Sequence, residues 1–293
     1  MIIFLVGKNG QLSSALNKEL SITHKVFAVD RYMLGLSKIA SLEKLIDQVM
    51  PGLIINAAAY TQVDQAEVEK DLAFEINALL PKFLSNKAQS LDIPIIHIST
   101  NYIFDGLKNN PYEEDDQANP LSVYGQTKWQ GEEFVRNYPK HFILRTSWLF
   151  SSHSPSFLLT MLKLAKEKFT INMVSDQWGS PTSTKTLVFA IEEILTRLSY
   201  QNRHEIYGTY HIACNGKTTW YGYSIKILSV LESMGFKTLL KKDQVIPISH
   251  IDYSQKACRP NYSVLATMKY RNIFKSKLPD WDSEVERIML ELM

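Results

Sequence analysis

Short apolar runs alternate with amphipathic segments along the first half of the chain. Residues 2–6, 25–30, 53–60 and 93–100 are apolar or β-branched runs without a polar alternation, which is typical of strands buried on both faces of a parallel sheet. Between them, apolar residues recur at helical spacing, as in 42–49 and 61–91, where Pro81 is expected to interrupt the helix. The alternation predicts an α/β fold with a doubly wound parallel sheet.

The first run leads directly into a glycine-containing turn, Gly7-Lys-Asn-Gly10-Gln-Leu-Ser13, and then into a helical pattern. This order is typical of a dinucleotide-binding, Rossmann-type unit. Gly7 permits the tight turn, and Gly10 lets the backbone approach a pyrophosphate at the helix N-terminus. Ser13 stands where a third glycine would be expected, so a plain strand-to-helix turn stays open as an alternative.

An acid ends the second run. Asp30 follows Gly10 by twenty residues, the position at which a carboxylate binds the ribose hydroxyls of the adenosine. Arg31 comes next, and its guanidinium could instead receive a 2′-phosphate. The pair therefore does not decide whether the cofactor is NADH or NADPH. The alternative without a cofactor is a capping Asp beside a surface Arg.

Three polar side chains near the fourth run suit carbonyl reduction. Thr100 ends the strand, and Tyr124 and Lys128 share a face if residues 122–138 are helical. The hydroxyl would hold a substrate oxygen, and the phenol would protonate it. A unit charge at about 4 Å and an effective dielectric of about 20 is worth ~4 kcal/mol, so Lys128 is expected to bring the Tyr124 pKa toward neutrality. Alone, the pair is equally typical of a helix surface.

The pattern changes after residue 150, where helices are predicted at 157–168, 187–198, 221–234 and from about 282, with a turn-rich stretch at 172–184 and a short strand at 208–213. We therefore predict an NAD(P)-binding Rossmann domain in residues 1–150. Residues 151–293 are predicted to form mainly a smaller, partly interleaved substrate-binding lobe, with some segments returning to the Rossmann domain.

Composition excludes several classes of function. A net charge of +2 over 293 residues argues against nucleic-acid or membrane binding through bulk charge. Cys214 and Cys258 are far apart and without neighbouring histidines, so we expect buried thiols rather than a disulfide or a metal site. The apolar N-terminal run is too short for a signal peptide or a membrane span, and a cytoplasmic protein is expected.

Eight stretches in order carry a family resemblance. The chain resembles the extended short-chain dehydrogenase/reductases, and within them the reductases of dTDP-linked 4-keto-6-deoxysugars, along almost its whole length. The stretches are Gly7-Lys-Asn-Gly-Gln-Leu12, Asn56-Ala-Ala-Ala-Tyr-Thr-Gln-Val-Asp64 with Ala66-Glu67, Ser99-Thr-Asn-Tyr-Ile-Phe104, Tyr124-Gly-Gln-Thr-Lys128 with Gly131-Glu132, Arg145-Thr-Ser-Trp148, Asp176-Gln-Trp-Gly-Ser-Pro-Thr182, Thr218-Thr-Trp220, and Arg259-Pro260 with Ser263 and Leu265.

The resemblance implies a role for each position. It implies reduction of the 4-keto group of a dTDP-linked 6-deoxyhexose by NADPH or NADH, with Tyr124 as proton donor, Lys128 holding the nicotinamide ribose and Thr100 bonding the carbonyl. The implied cofactor-binding residues are Gly7, Gly10, Gln11, Leu12, Asp30, Arg31, Ala59, Tyr60, Thr61, Tyr124 and Lys128. The implied substrate-binding residues are Val63, Thr100, Asn101, Tyr102 and Trp148. A nucleotide sugar is the expected partner, and a homodimer is compatible with the family.

Departures from the family pattern bear on the substrate. The family usually has Asp where this chain has Asn101, and Asn-Phe where it has Ser156-Phe157, both near the sugar. Some members bind magnesium through acids at a dimer interface, one of them in the first helix. Ala15 occupies that neighbourhood here, so no metal is predicted.

A reductase for another nucleotide-linked deoxysugar would carry the same motifs and stays open, and two further functions share this fold. The related dehydratases use an Asp-Glu pair directly after the Thr, whereas Thr100 is followed by Asn101-Tyr102. The NADP-binding regulatory subunit of methionine adenosyltransferase is the non-enzymatic alternative. A lost catalytic residue would favour it, and Thr100, Tyr124 and Lys128 are all present.

Overall fold

A computed structural model describes residues 1–30, 38–199 and 206–292 of the chain. Its centre is a six-stranded parallel sheet in the order β2-β1-β3-β4-β5-β10. The apolar runs form these strands because a strand covered on both faces needs no polar side. The strands are β1 (Ile2–Val6), β2 (Lys25–Val29), β3 (Leu53–Asn56), β4 (Ile95–Thr100), β5 (His141–Thr146) and β10 (Gly208–His211).

Helices cover both faces of the sheet, which confirms the predicted doubly wound α/β fold. One face packs against α1 (Gln11–Leu20), α8 (Thr184–Leu198) and α10 (Met268–Phe274). The other packs against α2 (Ile39–Val49), α5 (Leu80–Ser90) and α6 (Val123–Arg136). The strand order reverses at β1, between β2 and β3, so the crevice that receives ligands in such sheets opens at the carboxyl ends of β1 and β3.

The helical stretch before β4 differs from its prediction. It consists of α3 (Val63–Ala66), α4 (Lys70–Phe74), a π-helix (Glu75–Leu79) and α5. Pro81 does not interrupt it, because this residue lies in the first turn of α5, where a missing N–H is tolerated. The irregular turn is the π-helix just before it.

The remaining elements form a second cluster with its own apolar core. The predicted turn-rich stretch 172–184 contains three short strands, and α8 and β10 pack with the central sheet. The division at residue 150 stays a prediction. The elements of the cluster are β6 (Leu149–Phe150), α7 (Phe157–Glu167), β7 (Ile171–Val174), β8 (Trp178–Gly179), β9 (Thr182–Ser183), β11 (Thr218–Thr219), α9 (Trp220–Ser233), β12 (Val245–Ile248) and α11 (Trp281–Leu290).

The burial of the two cysteines and the backbone conformation at Trp148 can be compared with what the sequence predicts. Cys214 is buried as expected, whereas Cys258 is exposed, so that prediction was wrong for the second thiol. Strand β5 ends at Thr146, two residues before Trp148. Trp148 has a φ of 44°, a left-handed conformation that is costly for a large side chain and redirects the chain here.

Candidate active site

The glycine turn after β1 forms a backbone cradle at the switch point. Gly7 has a φ of 104°, and a Cβ there would lie 3.0 Å from the backbone of Ala58, so the turn accepts only glycine without a shift. Gly10 is the N-cap of α1, and its N–H donates to the Gly7 carbonyl at 2.8 Å. The first turn of α1 carries no acidic residue, which leaves its N–H groups suited to an anion.

The predicted pyrophosphate residues lie at this helix start. Gln11 opens α1, and its amide Nε2 donates to the Pro155 carbonyl at 3.2 Å. Leu12 packs its side chain in the core, so only its backbone can face a cofactor. The Ser13 hydroxyl is buried without a partner among the described residues, so it is a donor that this cradle can offer a pyrophosphate, whereas the equally unpartnered Gln11 Oε1 can only accept.

The predicted ribose residues are described only in part. Asp30 follows β2 directly, and its carboxylate accepts a hydrogen bond from the Asn9 side chain in the glycine turn. This contact holds the carboxylate beside the cradle, where an adenosine ribose would be bound. Arg31 lies outside the described residues.

The segment after β3, with Ala59, Tyr60 and Thr61, is held by Asn77 of the π-helix. The Tyr60 N–H donates to Asn77 Oδ1 at 2.8 Å, and Asn77 Nδ2 donates to the Tyr60 carbonyl at 3.2 Å. Asn77 Nδ2 also lies 3.1 Å from the Thr127 hydroxyl on α6. Asn77 thereby links the cofactor segment to the helix that carries Tyr124. Sequence reasoning missed it, because no local motif marks it.

The N-terminus of α6 packs closely on the end of β4. A Cβ on Gly125 would lie 2.3 Å from the Tyr102 carbonyl oxygen, so only glycine allows this approach. Ser122 is the N-cap, and its hydroxyl accepts a hydrogen bond from the Gly125 N–H at 3.2 Å. The approach brings the Tyr124 phenol next to the Thr100 hydroxyl.

Burial controls the ionisation of the two predicted catalytic groups on α6. Burial raises the pKa of Tyr124 to about 12, while the Thr100 hydroxyl opposes the rise. The Lys128 ammonium is buried and donates to the Ile98 carbonyl at 2.6 Å, and burial lowers its pKa to about 8 against the effect of Glu132. The expectation that Lys128 brings the Tyr124 pKa toward neutrality was wrong, because desolvation dominates. A phenol with this pKa carries its proton at neutral pH, as a proton donor must.

Thr100 is oriented by its neighbours. Its hydroxyl accepts from the Tyr102 N–H at 3.2 Å and lies 3.3 Å from Asn101 Oδ1. Asn101 is buried, and its Nδ2 donates to the Ser263 carbonyl at 3.1 Å. An aspartate, the usual family residue, could not donate to that carbonyl when ionised. The contact of Asn101 with a sugar stays a prediction.

The other predicted substrate residues surround the same edge of the sheet. Tyr102 meets Tyr124 edge to face, with ring centroids 5.8 Å apart. Trp148 stacks on Trp220 at 3.6 Å, and a Cβ on Gly179 would lie 2.5 Å from the Trp148 ring. Val63 is half-buried at the start of α3. Their contacts with a sugar stay predictions.

The described residues contain neither a cluster of metal-ligand side chains nor a helix suited to a bilayer. There, no group of three or more His, Cys, Asp or Glu side chains is placed to hold a metal ion. In residues 1–30, 38–199 and 206–292, no helix is both long and apolar enough to cross a bilayer.

The fold and the site together define a class of protein. A glycine cradle lies at the switch point of a doubly wound sheet, next to a Thr and to a Tyr and a Lys that are four residues apart. This is the architecture of a Rossmann-type short-chain dehydrogenase/reductase. A family model for the RmlD substrate binding domain matches residues 1–293. The chain belongs to the dTDP-4-dehydrorhamnose reductase family.

Named relatives support this membership over the whole chain. It is 34% identical to the dTDP-4-dehydrorhamnose reductase of Salmonella typhimurium over 297 residues, covering 100% of this chain and 98% of that protein. The Escherichia coli K12 reductase is 35% identical with the same coverage. The crystal structure of the Bacillus anthracis reductase in complex with NADP superposes with a TM-score of 0.90, at 32% identity and 99% coverage of both chains.

Proposed function

We propose that this protein reduces the 4-keto group of a dTDP-linked 6-deoxyhexose with NADPH or NADH, converting dTDP-4-dehydro-L-rhamnose to dTDP-L-rhamnose. Relatives covering the whole chain carry the name of this activity, and a structural neighbour holds NADP. The observation that carries the proposal is the meeting of Thr100 with Tyr124 and the buried Lys128 beside the glycine cradle.

The residues around the cradle fit a dinucleotide. Gly7 and Gly10 allow a tight turn in which added Cβ atoms would meet the Ala58 backbone and the Gly7 carbonyl, and the unpartnered Ser13 hydroxyl, a hydrogen-bond donor, lies at the same helix start. When bound, NAD(P)H supplies the hydride for the reduction. We assign its pyrophosphate to Gly7, Gly10, Gln11 and the Leu12 backbone, its adenosine ribose to Asp30 and Arg31, its middle to Ala59, Tyr60 and Thr61, and its nicotinamide ribose to Tyr124 and Lys128.

The protein supplies the proton and the orientation of the substrate. Tyr124 Oη carries a proton at neutral pH and gives it to the substrate oxygen. The Thr100 hydroxyl, next to Tyr124, bonds the same oxygen and fixes its position. Lys128 keeps a positive charge near the phenolate that forms, which lowers the energy of that product state. Val63, Asn101, Tyr102 and Trp148 are assigned to the sugar and its nucleotide.

Reduced-cofactor oxidation, followed by its absorbance, tests the proposal. The substrate, a dTDP-4-keto-6-deoxy-sugar, is generated in situ with and without a 3,5-epimerase. We expect turnover only with the epimerase, and loss of turnover in Tyr124→Phe. Turnover without the epimerase would indicate that the substrate is an unepimerised keto-sugar instead. Failure to oxidise either cofactor, with stable co-purification of a larger enzyme, would favour the regulatory-subunit alternative.

Two expectations accompany this function. A cytoplasmic location fits an enzyme that uses reduced nicotinamide and an activated sugar. A homodimer is compatible with the family, and light scattering at enzyme concentrations used in assays would test it.

A further inference from the structure

One ion pair joins the C-terminal part of the chain to the substrate side of the active site. Asp64 on α3 and Arg259 form a two-pronged pair, with Arg259 Nη2 donating to Oδ2 at 2.6 Å and Nη1 to Oδ1 at 3.2 Å. The backbone N–H groups of Lys256 and Ala257 also donate to Asp64 Oδ1, at 3.0 and 2.9 Å. The carboxylate therefore holds both the guanidinium and the chain that precedes it.

The same guanidinium reaches the active site through Tyr102. The Arg259 guanidinium lies close to the Tyr102 phenol oxygen, near enough to interact with it electrostatically. The Tyr102 ring in turn packs edge to face against Tyr124, at an interplanar angle of 81°. Asp64, Arg259, Tyr102 and Tyr124 thus form a continuous series of contacts from α3 to the predicted proton donor.

This arrangement sets the direction of the Tyr102 hydroxyl. A guanidinium has only donors, so Arg259 can face only an acceptor site of the phenol oxygen, and the phenol's own proton stays available to another partner. Because the ring lies against Tyr124, that proton is offered to a ligand in front of the catalytic group. Tyr102 becomes a donor to a substrate oxygen other than the carbonyl, and the contact orients the sugar.

We propose that Asp64 and Arg259 are positioning residues that orient Tyr102 as a hydrogen-bond donor to the nucleotide-sugar substrate. The inference rests on the proposed reductase function and extends it to residues that contact the substrate only through Tyr102. Loss of the pair weakens substrate binding and leaves the proton donor in place.

The other end of the same segment is also anchored by a carboxylate. The Ser249 hydroxyl donates to Asp176 Oδ2 at 2.7 Å, and the His250 N–H donates to Oδ1 at 2.8 Å. The segment between Ser249 and Arg259 is therefore held at both ends. Two anchors, and not the contact with Asp64 alone, therefore fix the position of Arg259 next to Tyr102.

A double-mutant cycle on KM separates this role from direct contact. We expect Arg259→Met to raise KM for the keto-sugar roughly tenfold, the worth of one hydrogen bond, with kcat changed much less. Tyr102→Phe should raise KM similarly. In the Tyr102→Phe background, Arg259→Met should add little, because the group it orients is already gone.

Other outcomes have distinct meanings. If the two KM effects multiply, Arg259 acts on the substrate directly or only on folding, and the inference is overturned. If Arg259→Met does not fold, Asp64→Asn replaces it in the same cycle, with the same expected non-additivity. Glu232→Gln, which breaks an exposed ion pair with Lys242, is the matched control and should leave KM unchanged. If the wild-type protein shows no turnover, the proposed function is overturned together with this inference. If the variants are active and their KM effects multiply, only this inference is overturned.

Discussion

At the scale of residues, one physical cause sets both ionisable groups of the predicted catalytic pair. Burial disfavours charge, so it raises the pKa of an acid and lowers that of a base. It holds Tyr124 protonated, with a pKa of about 12, and brings the Lys128 pKa down to about 8. A neutral phenol and a charged ammonium, both carried by α6, are therefore the state of the site below about pH 8.

This state predicts how activity depends on pH. We expect kcat to fall as pH rises through about 8, because Lys128 loses its proton there. Stability should not fall with it: because the folded pKa lies below the ordinary value of 10.5, the cost of burying the ammonium is relieved progressively between about pH 8 and 10.5, and stability rises there. Saturated rates and thermal melts over the same pH range check both points. A kcat that stays constant through this region, or falls together with the melting temperature, would contradict the assignment.

Cofactor preference is predicted to depend on Asp30. Its carboxylate, held by Asn9 beside the glycine cradle, would bind ribose hydroxyls and repel a 2′-phosphate. Asp30→Ala should therefore raise KM for NADH by about tenfold while that for NADPH stays constant or falls. Steady-state rates with both cofactors measure the ratio, and Asp71→Ala, an exposed acid on α4, is the control. An equal change with both cofactors would place Asp30 outside the ribose site.

At the scale of elements, the site depends on the contact between α6 and the π-helix. A Cβ on Gly131 would lie 2.1 Å from the Asn77 carbonyl oxygen, so the two backbones touch. Lys128 lies one turn before Gly131, and Asn77 holds the Tyr60 segment. The spacing between α6 and the π-helix therefore sets the distance between the predicted catalytic side chains and the segment predicted to bind the cofactor.

Gly131→Ala is predicted to disturb this spacing. Displacing α6 by about 1 Å misaligns Tyr124 and Lys128, and we expect kcat to fall on the order of a hundredfold. Gly52→Ala is the control, because its added Cβ meets the nearest atoms only at 3.8 Å. Rates and melting temperatures of both variants are compared with wild type. A Gly131→Ala variant with the kcat of the control would show that the contact has no catalytic role.

Local pattern predicted elements well where burial alone decides the structure. The central strands appear close to the predicted residues because a parallel strand covered on both faces is an uninterrupted apolar run. Prediction failed where packing decides instead. The π-helix before Pro81 and the left-handed Trp148 have no local sequence signal, and both depend on neighbours distant in the chain.

The same distinction applies to the candidate site. Thr100, Tyr124 and Lys128 could be singled out from residue type and spacing, but the family resemblance was needed to favour a catalytic role over an ordinary helix surface. The high Tyr124 pKa could not, because desolvation is a property of the folded protein. The pairing of Asp64 with Arg259 joins residues 195 positions apart, so it emerges only from the three-dimensional structure.

At the scale of the whole molecule, a buried ion pair connects several layers. The Arg145 side chain on β5 is 1% exposed and the Glu132 side chain on α6 is 0% exposed, and they are joined by N–O contacts of 2.8 to 3.1 Å. Arg145 Nη1 also donates to the Glu114 carbonyl at 3.0 Å and lies 3.3 Å from His211 Nε2 on β10. The guanidinium thereby links α6, two strands and the loop after β4.

Arg145→Met is predicted to destabilise the whole protein. It leaves the Glu132 carboxylate buried without its main partner, which costs about 3–5 kcal/mol of unfolding free energy. Lys242→Met, which breaks an exposed pair, should cost about 1 kcal/mol or less. Urea unfolding measures both. Adding Glu132→Leu to Arg145→Met should recover part of the loss, because the unpaired charge is removed. If Arg145→Met alone cost no more than the surface control, the pair would not be what joins α6 to the sheet.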